Sequence, residues 1–337
     1  MQIVPASELI EIAKGYEGFR EHRNDSWYAH STYKNNGFGA IPMAVSHLYR
    51  GQNTRYVPLL PSIARGLNTN DLAQLWMGDI SDQAKVIIRL AQSWWFAREL
   101  NHHPVMQHSK KVRFGLDEIA MAQHYGIDTG YLDLTDDFNV SAFFATCRCL
   151  SDGSWEPVDS GIGVVYRVSL RDDKSCFEKY MPLGPQKLPR PTEQSAWVVE
   201  LPMHHSFEGW PGVSMLQFEH DRSVGEYFLD KFAGGKVLFP ADPLADVADE
   251  ILSCGELPVE LFEAAFDSFA SDPLGIRPDQ ISAIRNEALK IVALTRYRRL
   301  LTPEAVSLLT SDADWCDRML GSVNVKVCAV RSVMVGE

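Results

Sequence analysis

The spacing of apolar residues predicts a mixed arrangement of helices and strands up to about residue 240. Five stretches have apolar residues at helical spacing: 8–19, 71–77, 82–100, 115–125 and 137–150. Five shorter stretches have the apolar runs or the alternation typical of strands: 45–49, 163–170, 195–201, 213–219 and 236–239. In the second of these, one face carries Val164, Tyr166, Val168 and Leu170.

Two stretches before residue 240 have the composition of loops. Residues 21–45 are polar and contain several Gly, Asn, Ser and Tyr residues. Residues 181–192 contain four prolines, which predicts a loop or an extended connection.

Helical patterns dominate the rest of the chain, over residues 243–253, 258–270, 278–300 and 303–320. We therefore predict an α+β protein in three parts. Residues 1–45 form a helix and a loop, residues 46–240 form an α/β domain, and residues 241–337 form a helical region. This region is either a solvated helical subdomain or an element that caps the α/β domain or binds a partner.

Composition and charge narrow the classes of protein. The 337 residues carry a net charge of −12, which argues against a broad non-specific surface for nucleic acid but is compatible with a local basic cleft. No apolar run approaches the roughly 18 residues of a membrane span. The first residues lack the features of a signal peptide. We expect a cytoplasmic protein with no membrane segment.

Common catalytic and metal-binding motifs are absent. The sequence contains no P-loop, no GxGxxG after a strand, no GxSxG and no HExxH. The adjacent pairs His102-His103 and His204-His205, and the pair Cys147 and Cys149, do not have the spacing of a structural zinc site. We therefore expect no metal.

The first candidate for chemistry is the segment His47-Leu-Tyr-Arg-Gly-Gln52, in which an apolar run stops at an arginine and a glycine. The glycine permits close backbone approach, and the Arg50 guanidinium suits bidentate binding of phosphate. The alternative is structural, with Arg50 paired to a buried carboxylate.

The second candidate is the segment from Gln123 to Thr135. It contains His124, Tyr125 and Asp133 within eleven positions, beside an apolar helix. A histidine at a helix end is also a common capping residue. Asp133 can orient His124, or it can bond the backbone amides of its own turn.

An ordered set of motifs resembles a known family. The chain contains YRGQ (49–52), PSIAR (61–65), AQHYG (122–126), T-x-x-LDLT (129–135), SAFFA (141–145) and R-x-x-x-Q (190–194). This series, over about residues 46–200, resembles the FRG domain, named for its Phe/Tyr-Arg-Gly motif. The family usually has Thr-Arg-Leu-Leu-Asp-Trp-Thr, where this chain has Gly130, Tyr131 and Leu134 in place of Arg, the first Leu and Trp. An expected positive charge is therefore missing at position 130.

The resemblance, together with a more distant similarity to ADP-ribosyltransferases, implies a split antiparallel sheet and NAD as substrate. It also implies a bacterial toxin or anti-phage defence effector. The acceptor of ADP-ribose would be a protein or a nucleic acid, and an antitoxin or inhibitor protein is an expected partner.

The same similarity suggests site residues. Transfer from NAD proceeds through an oxocarbenium-like transition state, as in glycoside hydrolysis. The NAD-binding residues would be Tyr49, Arg50, Gly51, Gln52, Arg65, His124 and Asp133. Arg50 is the expected ligand of the diphosphate or the adenosine ribose, and Arg65 is a second candidate. The catalytic set would add Tyr125, which together with His124 would hold ribose hydroxyls or stack on nicotinamide.

The carboxylate that such enzymes carry on a late strand has no clear counterpart. This chain has Glu193 and Gln194 at that place. Because successive strand residues face opposite sides, only one of them would enter the cleft. Glu193 would supply a charge, whereas Gln194 would supply only hydrogen bonds.

Two other functions stay open. The missing arginine at position 130 and the amide of Gln194 favour a non-catalytic sensor that binds NAD or another nucleotide. The third possibility is an RNA-acting toxin that uses Arg50, His124 and Tyr125 without NAD.

Overall fold

The computed structural model describes residues 3–20, 27–32, 37–42, 45–67, 79–111, 117–170, 180–183, 188–201, 206–271 and 279–320. The helix predicted over residues 71–77 lies outside these residues.

A seven-stranded sheet forms the centre of the mixed part of the chain. In chain order its strands are β1 (Ile3–Pro5), β4 (His47–Gln52), β5 (Tyr131–Thr135), β8 (Ile162–Ser169), β9 (Tyr180–Pro182), β10 (Ala196–Glu200) and β11 (Val213–Glu219). Their spatial order is β1-β11-β8-β4-β5-β10-β9, and only the β1–β11 pair is parallel. This sheet and the helices around it confirm the predicted α+β class.

The ladder between β4 and β5 is limited to one position. Tyr49 lies opposite Thr135, whereas β4 pairs with β8 along all six of its residues and β5 pairs with β10 along all five. The backbone ladder is therefore open along the rest of the β4–β5 boundary. Side chains from β4 and β5 meet there.

The two faces of the sheet pack against different apolar clusters. Val164, Tyr166 and Val168 of β8 pack with Leu48 and Leu134 on one face, which confirms the predicted alternation. Val165 of β8 faces the opposite cluster, which contains residues of helices α1 (Ser7–Arg20), α5 (Phe138–Thr146) and α7 (Arg222–Lys231).

Helix α5 lies directly against β4, and Gly51 makes this contact possible. Asp137 caps the helix by accepting a hydrogen bond of 2.9 Å from the amide of Asn139. A Cβ atom at Gly51 would lie 1.7 Å from the carbonyl oxygen of Ser141. Only glycine allows β4 to approach the helix this closely.

The remaining helices are α2 (Ile80–Leu100), α3 (Pro104–Lys111), α4 (Glu118–His124), α6 (Pro189–Glu193), α8 (Pro243–Ser253), α9 (Val259–Ala270), α10 (Ile281–Ile291), α11 (Pro303–Ser311) and α12 (Ala313–Leu320). Ile87 and Phe96 of α2 belong to the same buried cluster as Leu244, Phe262 and Ile284. Helices from both sides of residue 240 therefore share one hydrophobic core. None of the helices in the described residues has both the length and the apolar character of a bilayer span.

Several local predictions were wrong. The region 21–45, predicted to be a loop, contains the antiparallel strands β2 (Trp27–Thr32) and β3 (Gly37–Pro42). The predicted strand 236–239 is a series of turns that follows Gly234 and Gly235, which have φ of 70° and 89°. Glycine tolerates these left-handed conformations, and two in succession interrupt the extended backbone.

The helical region also differs in detail. The helix predicted over residues 278–300 ends at Ile291, because the next residues form β13 (Ala293–Thr295), which pairs with β12 (Glu256–Pro258). The helix predicted over residues 303–320 is two helices, interrupted at Asp312, where the backbone is extended. The remaining short strands, β6 (Cys147–Cys149) and β7 (Trp155–Pro157), form a separate hairpin.

Candidate functional site

A pocket of about 300 Å³ lies beside the opening between β4 and β5. This volume is at the lower end of the range for small-molecule sites. Strands β4 and β5, helices α4, α5 and α6, and the turns before α8 all contribute to its walls. The lining residues are Tyr49, Arg50, Gly51, Gln123, His124, Tyr125, Gly126, Asp133, Leu134, Thr135, Val140, Ser141, Phe144, Arg190, Gln194 and Phe239.

Asp133 is the residue of β5 on which the polar side chains converge. It is the one residue of the strand that is not fully buried. The Arg50 guanidinium donates a hydrogen bond of 2.7 Å to its backbone carbonyl and lies 3.9 Å from its carboxylate. Gln123 Nε2 donates to Asp133 Oδ2 at 3.1 Å, and His124 Nε2 lies 3.4 Å from Asp133 Oδ1.

A buried hydrogen-bond network fixes the amide of Gln123. Its Oε1 accepts bonds from Ser62 Oγ at 2.8 Å and from Thr129 Oγ1 at 2.6 Å. Because both hydroxyls donate to the oxygen, the NH2 group must face Asp133. Residues from three separate motifs thus hold this carboxylate in one orientation.

Gln194 fixes the ring of His124 in a similar way. Gln194 Nε2 donates to the carbonyl oxygen of Leu238 at 3.0 Å, and Gln194 Oε1 lies 3.2 Å from His124 Nδ1. The carbonyl can only accept, so Oε1 must face the ring, and Nδ1 must carry a hydrogen. The other ring nitrogen, Nε2, has no hydrogen-bond partner in the described structure. It is buried 3.4 Å from Asp133 Oδ1, in a residue that lines the pocket.

Arg50 carries its positive charge into a largely dry environment. Its side chain is only 12% exposed, and its Nε is buried without a hydrogen-bond partner among the described residues. Burial, reinforced by the nearby charge of Arg65 and opposed by Asp133, lowers the pKa of Arg50 to about 10. The guanidinium still carries its charge at neutral pH.

The opposite wall contains Arg190 and two aromatic rings. The guanidinium carbon lies 5.1 Å from the ring centre of Tyr125 and 5.7 Å from that of Phe239. The Tyr125 hydroxyl donates a short hydrogen bond to Asp242, the N-cap of α8. Burial, and then the adjacent carboxylate, raises the pKa of Tyr125 well above its usual value. Tyr125 therefore connects the pocket to the helical region.

The structure brings most of the predicted residues together. The pocket is lined by Tyr49, Arg50, Gly51, His124, Tyr125, Asp133 and Gln194. Arg50 and Gly51 lie inside β4, not at its end as the sequence suggested.

Three predicted residues do not line the pocket. Gln52 is 7% exposed and buried away from it. Arg65 is exposed and donates to the carbonyl of Leu60. Glu193 is exposed at the end of α6.

The expectation that strand alternation separates Glu193 from Gln194 was wrong. The chain around them is helical although the segment contains prolines. Pro189 occupies the first helical position, and Pro191 is also in the first turn, where a missing amide hydrogen costs little. Gln194 is the C-cap of this helix, and β10 begins only at Ala196. The turn directs Gln194 into the pocket.

Gln123, Arg190, Phe239 and Asp242 contribute to the site but were not predicted from the sequence to have a role. Gln123 and Arg190 belong to the motifs AQHYG and R-x-x-x-Q, but a motif does not indicate which residues its side chains contact. Asp242 precedes Pro243, a common pattern at a helix start. This pattern predicts that Asp242 caps the helix, but it does not predict the contact with Tyr125. No local signal identifies Phe239, because it reaches the pocket from a turn.

The charge of the pocket differs from that of the chain. Among the residues that the structure describes, its lining contains two guanidinium groups and one imidazole but a single carboxylate, that of Asp133. An anionic ligand would be attracted to this site although the whole chain carries −12.

Comparison with known families agrees with the motif set. The family model of the FRG domain matches residues 46–153, which confirms the resemblance seen in the sequence. The match contains Arg50, His124 and Asp133, whereas Arg190 and Gln194 lie beyond it. No curated protein matches the chain. No solved structure matches it either.

Proposed function

We propose that this pocket binds NAD and that the protein transfers ADP-ribose from NAD to a macromolecule. The observation that carries the proposal is the convergence of the Arg50 guanidinium, the His124 imidazole and the Asp133 carboxylate on one pocket. A dinucleotide offers a diphosphate to the guanidinium and ribose hydroxyls to the other two groups.

The proposed step breaks the bond between the anomeric carbon of the ribose and the ring nitrogen of nicotinamide. The bonding electrons leave with nicotinamide, which departs as a neutral molecule and needs no general acid. The Asp133 carboxylate stabilises the positive charge that develops on the ribose. The acceptor then forms a bond to the anomeric carbon.

His124 would receive the proton that the acceptor loses. Its Nδ1 hydrogen is held by Gln194, so its free Nε2 can act as a base. The resulting imidazolium would be stabilised by Asp133 Oδ1, 3.4 Å away. Gln194 is a positioning residue in this scheme, since both of its amide atoms already bond to protein groups.

One observation favours a second candidate, a protein that binds NAD without turnover. Glu193 lies outside the pocket, and the Asp133 carboxylate in its lining already accepts a hydrogen bond from Gln123 and lies 3.9 Å from Arg50. A carboxylate held in this way would also suit a site that binds NAD without catalysing a reaction.

Labelled NAD separates these functions. Incubation of the protein with NAD labelled in the adenylate part and a cell lysate should label a macromolecule and release nicotinamide. His124→Gln should reduce transfer about 10²- to 10⁴-fold, the usual contribution of a general base. Arg222→Gln, which removes an exposed arginine paired with Glu226, is the control and should leave the rate unchanged.

Other outcomes select the alternatives. Calorimetric binding of NAD with no nicotinamide release would favour the sensor. Cleavage of RNA in the absence of NAD, lost in His124→Gln, would favour the RNA-acting toxin.

The proposed cellular role is that of a bacterial toxin or anti-phage defence effector in the cytoplasm, with an antitoxin or inhibitor protein as partner. Expression of the chain in bacteria should then arrest growth, and His124→Gln should relieve the arrest. Equal growth with the wild type and the variant would contradict this role.

A further inference from the structure

The pocket contains a second guanidinium, that of Arg190, to which the reaction scheme gives no role. Arg190 lies in the first turn of α6 between Pro189 and Pro191, whose fixed φ angles restrict the backbone on both sides. The turn presents the side chain to the pocket. The backbone that carries this side chain is therefore restricted before any ligand binds.

Among the described residues no carboxylate oxygen lies within 4 Å of the Arg190 guanidinium, although its charge lowers the pKa of Asp242 at longer range. The Arg190 guanidinium packs over Tyr125 and Phe239, and its Nε is buried without a hydrogen-bond partner in the described residues. The residue as a whole is half-buried, but a buried polar atom such as its Nε is costly to leave without a hydrogen bond unless a ligand completes it.

The carboxylate that interacts electrostatically with Arg190 is that of Asp242, and it already accepts other hydrogen bonds. Asp242 accepts the backbone amide of Leu244 at 2.9 Å through Oδ1 and the Tyr125 hydroxyl through Oδ2. No ion pair within 4 Å joins Arg190 to Asp242 or to another carboxylate among the described residues. Arg190 thus resembles Arg50, which also has a buried Nε without a partner.

The two arginines reach the pocket from different walls. Arg50 comes from β4 and is fixed by the carbonyl of Asp133, whereas Arg190 comes from α6 and rests on aromatic rings. A single phosphate group that bound one guanidinium would leave the other without a phosphate. Two linked phosphates can satisfy both.

We infer that the pocket selects a diphosphate over a monophosphate, and that Arg190 is the specificity-determining residue that binds the second phosphate. The inference rests on the proposed function, because it names the group of NAD that the two guanidinium groups hold. It applies equally to a nucleoside diphosphate. Arginine forms paired, charge-assisted hydrogen bonds to phosphate, which gives such a contact both strength and geometry.

The test measures the binding of ADP, AMP and inorganic pyrophosphate by calorimetry. The wild type should bind ADP at least about tenfold more tightly than AMP, the effect of one charge-assisted hydrogen bond or more. Pyrophosphate should compete with ADP. Arg190→Gln should remove the preference for ADP and leave the affinity for AMP nearly unchanged.

Two further variants serve as controls. Arg190→Lys keeps the charge but not the planar fork, so it should retain part of the preference for ADP. Arg222→Gln should behave as the wild type. Equal affinity of the wild type for ADP and AMP would overturn the inference whether or not any variant folds. An unchanged ADP preference in folded Arg190→Gln would overturn it as well.

The same measurements separate this inference from the proposed transferase. A preference for ADP that depends on Arg190, without release of nicotinamide from NAD, would support the diphosphate site and contradict the transfer reaction. Normal transfer with an unchanged KM for NAD in Arg190→Gln would support the reaction and contradict the role of Arg190.

Discussion

The imidazole Nδ1 of His124 lies 3.2 Å from the side-chain oxygen of Gln194, although the two residues are 70 positions apart in the chain. Gln194 in turn donates to the carbonyl of Leu238. This chain of two hydrogen bonds determines which nitrogen of His124 faces the ligand. The side-chain amide of Gln194 therefore orients the His124 imidazole, and the proposed reaction depends on this orientation.

Gln194→Ala should reduce kcat for nicotinamide release with little change in KM for NAD. The variant leaves the Nδ1 hydrogen of His124 without its partner, and a lost buried hydrogen bond costs about 1–3 kcal/mol, so we expect a tenfold to hundredfold effect. Steady-state kinetics with NAD measure this split. A rise in KM with unchanged kcat would show that Gln194 acts by contacting the substrate.

Asp133→Asn should have opposite effects on binding and turnover. Removing the carboxylate takes away the charge that would stabilise the oxocarbenium ion, so nicotinamide release should fall by a factor on the order of 10²–10³. The affinity for ADP should stay equal or increase, because the negative charge near Arg50 is gone. Calorimetry and kinetics on one preparation test both statements.

The matched control for this variant is Glu156→Gln, which neutralises an exposed carboxylate on β7 paired with Arg148. It should change neither quantity. A parallel loss of ADP binding and turnover in Asp133→Asn would instead assign Asp133 to the structure of the pocket.

Gly51→Ala should strongly destabilise the protein. The new methyl group would lie 1.7 Å from the carbonyl oxygen of Ser141, so β4 and α5 must separate. We expect a loss of about 3 kcal/mol or more in the free energy of unfolding, at the upper end of the effects of overpacking.

Gly130→Ala is the control, since a Cβ there meets no atom within 4 Å. This variant should leave the free energy of unfolding unchanged or raise it by up to about 1 kcal/mol. Urea denaturation of both variants makes the comparison. Equal stability of the two would contradict the close contact between β4 and α5.

Asp242→Asn should change how stability depends on pH. Burial raises the pKa of Asp242 above its ordinary value of 3.8, although the hydroxyl of Tyr125 and the amide of Leu244 oppose the shift. A group whose pKa is raised on folding contributes stability below its unfolded pKa and loses this contribution as the pH rises through the folded value. The free energy of unfolding of Asp242→Asn, minus that of the wild type, should therefore increase as the pH rises above 3.8.

Asp221→Asn provides a control with the opposite sign. Hydrogen bonds from Ser223 lower the pKa of Asp221, so its contribution is present at neutral pH and is lost as the pH falls below 3.8. Urea denaturation at a series of pH values measures the free energy of unfolding of both variants. Parallel pH profiles for Asp242→Asn and the wild type would show that the Asp242 carboxyl does not change its proton affinity on folding.

The pocket was predictable in part. Arg50, His124 and Asp133 belong to segments whose order along the chain identified the FRG domain, and all three line one pocket. Arg65 and Gln52 belong to the same motifs but face away from it. Membership of a motif therefore did not distinguish a residue that contacts a ligand from one that supports the fold.

Local patterns were sufficient where the physical cause is local. The alternation of β8 and the start of α8 at Pro243 each depend on neighbouring residues, and the structure agrees with both. Position in the pocket depends instead on packing between distant segments. Glu193 and Gln194 differ by one position, yet only the latter lines the pocket, because the turn after α6 and the carbonyl of Leu238 determine its direction. Arg190 and Phe239 are in contact for the same reason. Their contact depends on how α6 packs against the turns before α8, and the spacing of residues along the chain does not encode this packing.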